Sequence, residues 1–329
     1  MVEPPTTIPA RAGGTPGNNL AKRRGHAPVL DTLWRELDIT YRLLMTNCFH
    51  FVVSYYITLI PRLMLDSVPY NQTIKALVSC FPYALLTAYQ FEIANQCTSP
   101  KEDQVNKPHR PIPAGLLTIA DARKRWILSW LFIPVILHVW INTEAALWGC
   151  LAQGIIAFFY LWPAFNNPLC RNIFAGIMIV PLKRGLNALY YTTIAPEANL
   201  SIWLDVASAL WFGTTCHIQE FRDVKGDRVS NKRTLPVVLS PRGMRVVRVL
   251  TGVYVVSLSV LACWLVTQRV SSSDELVLWT AYLHLFACIN LAFRLVWSEK
   301  LAHSTYQYAY YLAFWTFEVG LVLVYYWVN

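Results

Sequence analysis

Two stretches of this chain place acids, amides and cations close together. The first, residues 95–115, contains Asn95, Ser99, Glu102, Asp103, Asn106, Lys107, His109 and Arg110. The second, residues 219–236, contains Gln219, Glu220, Arg222, Asp223, Lys225, Asp227, Arg228, Lys232 and Arg233. Asn95, Ser99 and Asp103 recur every fourth residue, as do Gln219, Asp223 and Asp227. On a continuous helix each set falls on one stripe. Hard oxygen ligands suit Mg2+, which binds one or two carboxylates plus ligand phosphates and keeps several waters. The cations beside them, Lys107, Arg110, Arg222, Lys225 and Arg228, then meet the remaining phosphate charge. A single charged loop is usually only solvated. Two such segments at equivalent helix ends are harder to explain that way, because topology needs cations and not acids.

The elements that hold these segments must be membrane helices. The chain has 329 residues, of which 14% are charged and 55% hydrophobic. Soluble domains carry roughly 25% charged residues, so this composition cannot cover a water-exposed surface. It is also too apolar for disorder over most of its length. Nine apolar runs follow one another, near 40–65, 73–95, 124–142, 144–163, 172–195, 201–221, 243–266, 275–297 and 306–328. Each approaches the roughly 20 residues needed to cross a bilayer as helix. The fold class expected is all-α, a polytopic bundle of nine transmembrane helices around a central cavity. Residues 1–38 are expected to be a disordered cytosolic tail and 39–329 the transmembrane domain. The third and fourth runs nearly touch at Asn142–Glu144, which predicts a tight helical hairpin. Thr118 with Asp121 and Ser240 with Pro241 predict helix starts.

Lys and Arg alternate with each crossing. The tail and the connections after even-numbered runs hold 22 of them, whereas those after odd-numbered runs hold only Arg62, Lys75 and Arg269. This split predicts a cytoplasmic N-terminus with both motif segments on the cytoplasmic face. Asn71 and Asn199, in Asn-x-Ser/Thr triplets, fall on the other face. Most of the +9 formal charge is thereby accounted for, and nucleic-acid binding is not implied. No protein partner is implied either. The eight cysteines lie in or beside apolar runs without metal spacing and read as core residues.

The paired segments resemble the UbiA superfamily of intramembrane prenyltransferases. Its first motif, Asn-x3-Asp-x3-Asp followed by Asn-Lys-Pro-x-Arg-Pro, matches Asn95, Asp103, Asn106, Lys107, Pro108, Arg110 and Pro111. Its second, Asp-x3-Asp, matches Asp223 and Asp227. One position departs, since Ser99 stands where the family has its middle acid, followed by Pro100 and with Glu102 beside Asp103. In this respect, and in the stretch from Gln219 to Arg228 and the later Arg233-Thr234-Leu235-Pro236, the chain is similar to a fungal branch of membrane-bound sesquiterpene cyclases. Either Glu102 substitutes for the missing acid or the first segment holds metal through fewer ligands.

The resemblance implies nine helices and a prenyl diphosphate substrate, expected to be farnesyl diphosphate. It implies Mg2+ held by Asn95, Glu102, Asp103, Gln219, Asp223 and Asp227, with Asp103, Asp223 and Asp227 essential to catalysis. The expected reaction is class I cyclisation to a sesquiterpene in an endoplasmic-reticulum membrane. The alternative is transfer of the prenyl group to an aromatic or other acceptor, and a non-enzymatic carrier is a third possibility. Inside the fifth run, Lys183, Arg184 and Asn187 must face a cavity or a partner, and Lys183 or Arg184 could reach the diphosphate. A carbocation would need π-rich walls, for which Tyr89, Phe91, Tyr190, Tyr191, Trp211, Phe212, Trp315 and Phe317 are candidates.

Overall fold

The computed structural model describes residues 28–162, 166–194, 200–270, 274–297 and 304–328. Every regular element among them is helical. Backbone packing divides the chain into residues 1–38 and 39–329. In the first unit only the beginning of α1 (Pro28–Leu44) is described. Residues 1–27, most of the expected tail, lie outside the described residues, as does Asn199.

The second unit continues with α2 (Cys48–Leu65), α3 (Tyr70–Thr98), α4 (Pro100–Asn106), α5 (Ile119–Trp140), α6 (Thr143–Leu161) and α7 (Pro168–Thr193). It is completed by α8 (Ile202–Thr215), α9 (Glu220–Val229), α10 (Leu235–Val238), α11 (Pro241–Arg269), α12 (Glu275–Trp297) and α13 (Ser304–Val328). The starts follow local chemistry. The Thr118 hydroxyl accepts from Asp121 N–H at 3.0 Å, and Ser240 accepts from Gly243 N–H at 3.2 Å with Pro241 in the first turn. Asn142 caps α6 by accepting from Ala145 N–H at 2.8 Å, so the hairpin between α5 and α6 is as tight as expected.

Among the described residues six helices are long and apolar enough to cross a membrane: α2, α6, α7, α11, α12 and residues Gln307–Val328 of α13. By that measure the expected count of nine is not reached, although each apolar run contains a helix. α3 buries Gln90, Glu92 and Gln96, and α5 opens with Asp121, Arg123, Lys124 and Arg125. α8 has 14 residues, about 21 Å of helix against a hydrocarbon core of about 30 Å. Large apolar side chains face outward, among them Val253 and Trp264 of α11 and Trp279, Phe286 and Phe293 of α12. In water such faces would aggregate. In lipid they are matched to their surroundings, and the chain is a multi-pass membrane protein.

α2 packs on α3, α5 to α8 pack in sequence, as do α11 to α13, and α13 returns against α2 and α8. Two cores hold this arrangement. Leu59, Cys80, Tyr83, Leu137 and Leu186 join α2, α3, α5 and α7, while Trp211, Val255, Cys288, Leu291 and Phe314 join α8, α11, α12 and α13. α7 crosses α8 at Gly176 and Gly213, where a Cβ on either residue would lie 3.1 Å from the other's Cα. Only glycine permits that approach. The first apolar run is interrupted at Met45–Asn47, between α1 and α2, and Asn47 there donates to the Glu92 carboxylate.

Candidate active site

The two motif segments meet. α3 ends at Thr98, and Ser99 (φ −126°, ψ 39°) joins it to α4, which has Pro100 in its first turn. Proline has no N–H with which to continue the α3 ladder. Asn95 and Asp103 therefore lie on different helices rather than on one stripe. On the other segment a 3₁₀ turn, Cys216–Gln219, leads into α9. Asn106 ties α4 to α9, donating to the Asp223 carbonyl at 3.0 Å and accepting from Gly226 N–H at 3.1 Å. Its amide lies so close that a Cβ on residue 226 would fall 2.3 Å from Asn106 Nδ2, so the close approach requires Gly226.

Between these segments opens a cavity of about 510 Å³, within the range of small-molecule sites. Its charged end is lined by Glu102, Glu220, Asp223 and Asp227 together with Lys107, Arg171, Arg222 and Lys232, and by the amides of Asn95 and Gln219. Arg222 binds Asp223 through two nitrogens at 2.9 and 3.1 Å, and Lys107 Nζ lies 3.8 Å from the same carboxylate. Lys232 donates to Glu102, and Arg171 donates to Glu220 at 2.7 Å. Asp227 Oδ2 accepts from Thr234 at 3.0 Å, but its Oδ1 is buried without a partner. Burial, and then the Glu102 charge, push Asp227 up to about 6. Burial acts on Asp223 in the same direction, but the Arg222 hydrogen bonds and the Lys107 charge outweigh it and hold this acid below its ordinary value.

Of the residues expected from sequence, Asn95, Glu102, Lys107, Lys183, Gln219, Arg222, Asp223 and Asp227 line this cavity. Asp103, contrary to expectation, does not. Its carboxylate is buried against Arg110 at 3.0 and 3.2 Å, and Arg110 also binds Glu92 at 2.8 Å. The break at Ser99–Pro100 is the cause. It ends the α3 stripe and begins a new one, on which the neighbouring Glu102, about 100° away around the helix, takes the cavity side. Arg110 is fully buried in this pair instead of meeting ligand, while Lys225 and Arg228 are exposed and outside the lining. The structure adds Arg171, Glu220 and Lys232 to the charged end. In the sequence Arg171 is indistinguishable from a topology determinant, while Glu220 and Lys232 lie in the second segment but off its four-residue rhythm.

The rest of the wall is largely apolar and aromatic, with Lys183 and Glu318 also in the lining. Phe91 and Phe212 line it as expected, together with Phe51, Phe159, Phe174, Tyr311 and Phe314. Tyr190 lies instead under Arg62, 3.6 Å from guanidinium carbon to ring centre, and Trp211 packs with Tyr310 and Phe317. Lys183 reaches Glu318 and Ser208 rather than the charged end. Arg184 is buried against Asp205. His109 is exposed, and His217 is bonded to Thr251 at 2.9 Å.

Among the described residues no three His, Cys, Asp or Glu side chains form a ready metal cage. The donor set nevertheless fits a hard divalent cation that shares its ligands with phosphate. The unpartnered Asp227 Oδ1 and the proximity of the Glu102 charge leave a negative focus that such a cation would neutralise.

A solved structure concerning digeranylgeranylglyceryl phosphate synthase in membranes superposes with a TM-score of 0.51 at 15% identity, covering 89% of this chain and 99% of that one. That likeness shows a shared fold. The diterpene cyclase eriG of Hericium erinaceus is 32% identical over 172 residues, 48% of this chain and 50% of that protein. The polyprenyl transferase eriF of the same organism is 33% identical over 170 residues, 48% of this chain and 53% of that protein. The chain thus spans about half the length of these two relatives. Residues 57–318 match the UbiA prenyltransferase family, a span that takes in both motif segments and most of the helices around the cavity, and the chain belongs to that family.

Proposed function

We propose that this chain is a membrane-bound class I terpene cyclase that ionises farnesyl diphosphate with Mg2+ and closes the resulting cation to a sesquiterpene. One observation carries the reading: a single cavity has a charged end with paired acids and cations, and a body walled by aromatic rings. Breaking an allylic C–O bond puts negative charge on the diphosphate and positive charge on carbon, and the two ends of the cavity are suited to one charge each. Lys107, Arg171, Arg222 and Lys232 would take the diphosphate, their fixed charges being most effective where water is excluded. Glu102, Asp223 and Asp227, with the Asn95 and Gln219 amides, would hold Mg2+. When bound, Mg2+ supplies Lewis-acid stabilisation of the leaving group. The rings of Phe91, Phe174 and Phe314 would face the cation, each contributing roughly 0.5 to 2 kcal/mol when dry. Asp103 and Arg110 would act from behind, holding the α4 segment in position.

The domain that does this is residues 39–329, with nine crossings supported by the alternation of Lys and Arg. The N-terminal tail and both motif segments would then be cytoplasmic, in an endoplasmic-reticulum membrane. The likeness to a polyprenyl transferase favours a second reading, transfer of the prenyl chain to an aromatic or other acceptor after the same ionisation. Incubation of membranes with farnesyl diphosphate and Mg2+ alone separates the two. A volatile hydrocarbon is expected. Turnover only after an acceptor is added would establish the transferase, and absence of diphosphate release from every prenyl diphosphate would leave a carrier.

A further inference from the structure

The end of the cavity remote from the diphosphate side holds a carboxylate. On α13, Tyr311 donates to Gln219 Oε1 at 3.3 Å at the charged end. Glu318 follows seven residues later, about 10 Å further along the helix. On α7, Arg171 pairs with Glu220 at the charged end, and Lys183 follows twelve residues later, about 18 Å along. Lys183 Nζ donates to Glu318 Oε2 at 2.5 Å and to Ser208 Oγ at 2.7 Å. Glu318 lines the cavity and is 2% exposed, and its Oε1 is buried with no partner. A buried acceptor left unused carries a desolvation penalty. Two hydroxyl residues of α2 in the cavity lining are committed elsewhere: Tyr55 donates to Thr87 at 3.0 Å and Thr58 to the Ser54 carbonyl at 3.1 Å. The other carboxylates lining the cavity, Glu102, Glu220, Asp223 and Asp227, are all at the charged end.

We propose that Glu318 Oε1 accepts the proton that terminates the reaction. The proposal rests on the cyclase reading above and names its last step. The C–O bond to diphosphate breaks first, and the diphosphate leaves with the electron pair. After ring closure, a C–H bond beside the cationic carbon breaks and its electron pair forms the C=C double bond. The proton goes to Glu318 Oε1 while Lys183 holds Oε2. The carboxyl then returns the proton to water that refills the cavity once the hydrocarbon has left. Lys183 is the positioning residue, holding the carboxylate by Oε2 and leaving Oε1 unengaged.

The test compares full-length wild-type protein with Glu318→Gln in membranes, given farnesyl diphosphate and Mg2+, with diphosphate release and the product spectrum measured together. Glu318→Gln removes the nearer counter-charge of Lys183 and leaves only Asp205, 3.9 Å from Nζ, which can cost folding. The double variant Lys183→Met with Glu318→Gln removes both charges and preserves much of the volume. In whichever variant folds, diphosphate release continues at a reduced rate. The wild-type hydrocarbon falls roughly a hundredfold relative to water-captured alcohols and other olefins, the low end of what a positioned base contributes. An unchanged product ratio in a folded variant would overturn the proposal. So would loss of diphosphate release in both variants, which would assign Glu318 to ionisation. Wild-type membranes that make no hydrocarbon would overturn the cyclase reading itself, a different result from either.

Discussion

Gly226→Ala should destabilise the protein even though it is placed in a helix, where the same change ordinarily helps. In an open helical position alanine gains about 1 kcal/mol over glycine. Here the new Cβ would lie 2.3, 2.6 and 2.8 Å from Nδ2, Cγ and Oδ1 of Asn106. Relieving such overpacking costs about 1 to 3 kcal/mol. If Asn106 moves away, the two bonds that join α4 to α9 are lost, at about 0.5 to 1.5 kcal/mol each. The two are alternative routes to the same relief, so after subtraction of the propensity gain the net loss is about 0 to 2 kcal/mol. At roughly 2 to 4 °C per kcal/mol, a thermal melt of the detergent-purified protein should fall by up to several degrees. The Asn106→Ala background supplies the control. With the amide gone, Gly226→Ala should become neutral or stabilising, a reversal of sign that only direct contact produces. A melting temperature for Gly226→Ala above wild type would refute the link between the two segments.

Asp223→Ala and Asp227→Ala should each abolish turnover while membrane insertion is retained, and activity within a few-fold of wild type in both would remove the site assignment. Glu102→Gln and Asp103→Asn should separate by kind of defect. The first should weaken Mg2+ dependence with little change in melting temperature, whereas the second breaks a buried pair with Arg110 and should cost about 3 to 5 kcal/mol of stability. Equal loss of Mg2+ response in both would return Asp103 to the cavity. In EDTA, Asp227 is held above its unfolded value, so its stabilising contribution is complete below about pH 4 and disappears as the pH rises through about 6. The corresponding free energy is about 3 kcal/mol. Melting temperatures between pH 4 and 7 should show this decline in wild type and lack it in Asp227→Asn, and parallel profiles would refute it.

Most of the architecture was legible without coordinates because its causes are local. Apolar runs of membrane-spanning length, the alternation of Lys and Arg, the hairpin at Asn142–Glu144 and the caps at Thr118 and Ser240 all act over a few residues. The second motif was legible for the same reason: Gln219, Asp223 and Asp227 lie at successive turns, and the cavity receives all three. In the first motif Asn95 and Glu102, both expected from sequence, line the cavity, and Asp103 does not. Whether Pro100 bends a helix or ends it depends on what the following turn packs against. Here α4 is anchored to α9 by Asn106 and to the bundle by Asp103 and Arg110.

Residue types and their periodicity determined the class of protein, its membrane setting and the two places where charge collects. Tertiary structure decided which members of those clusters share a chamber. It separated Glu102 from Asp103, brought Arg171 in from a segment that looks like an ordinary topology signal, and set Lys183 beside Glu318 across 135 residues of sequence. Periodicity along one helix defines a face. The partner that the face meets depends on how several helices cross, and that is set by non-local contacts such as the one between Gly176 and Gly213.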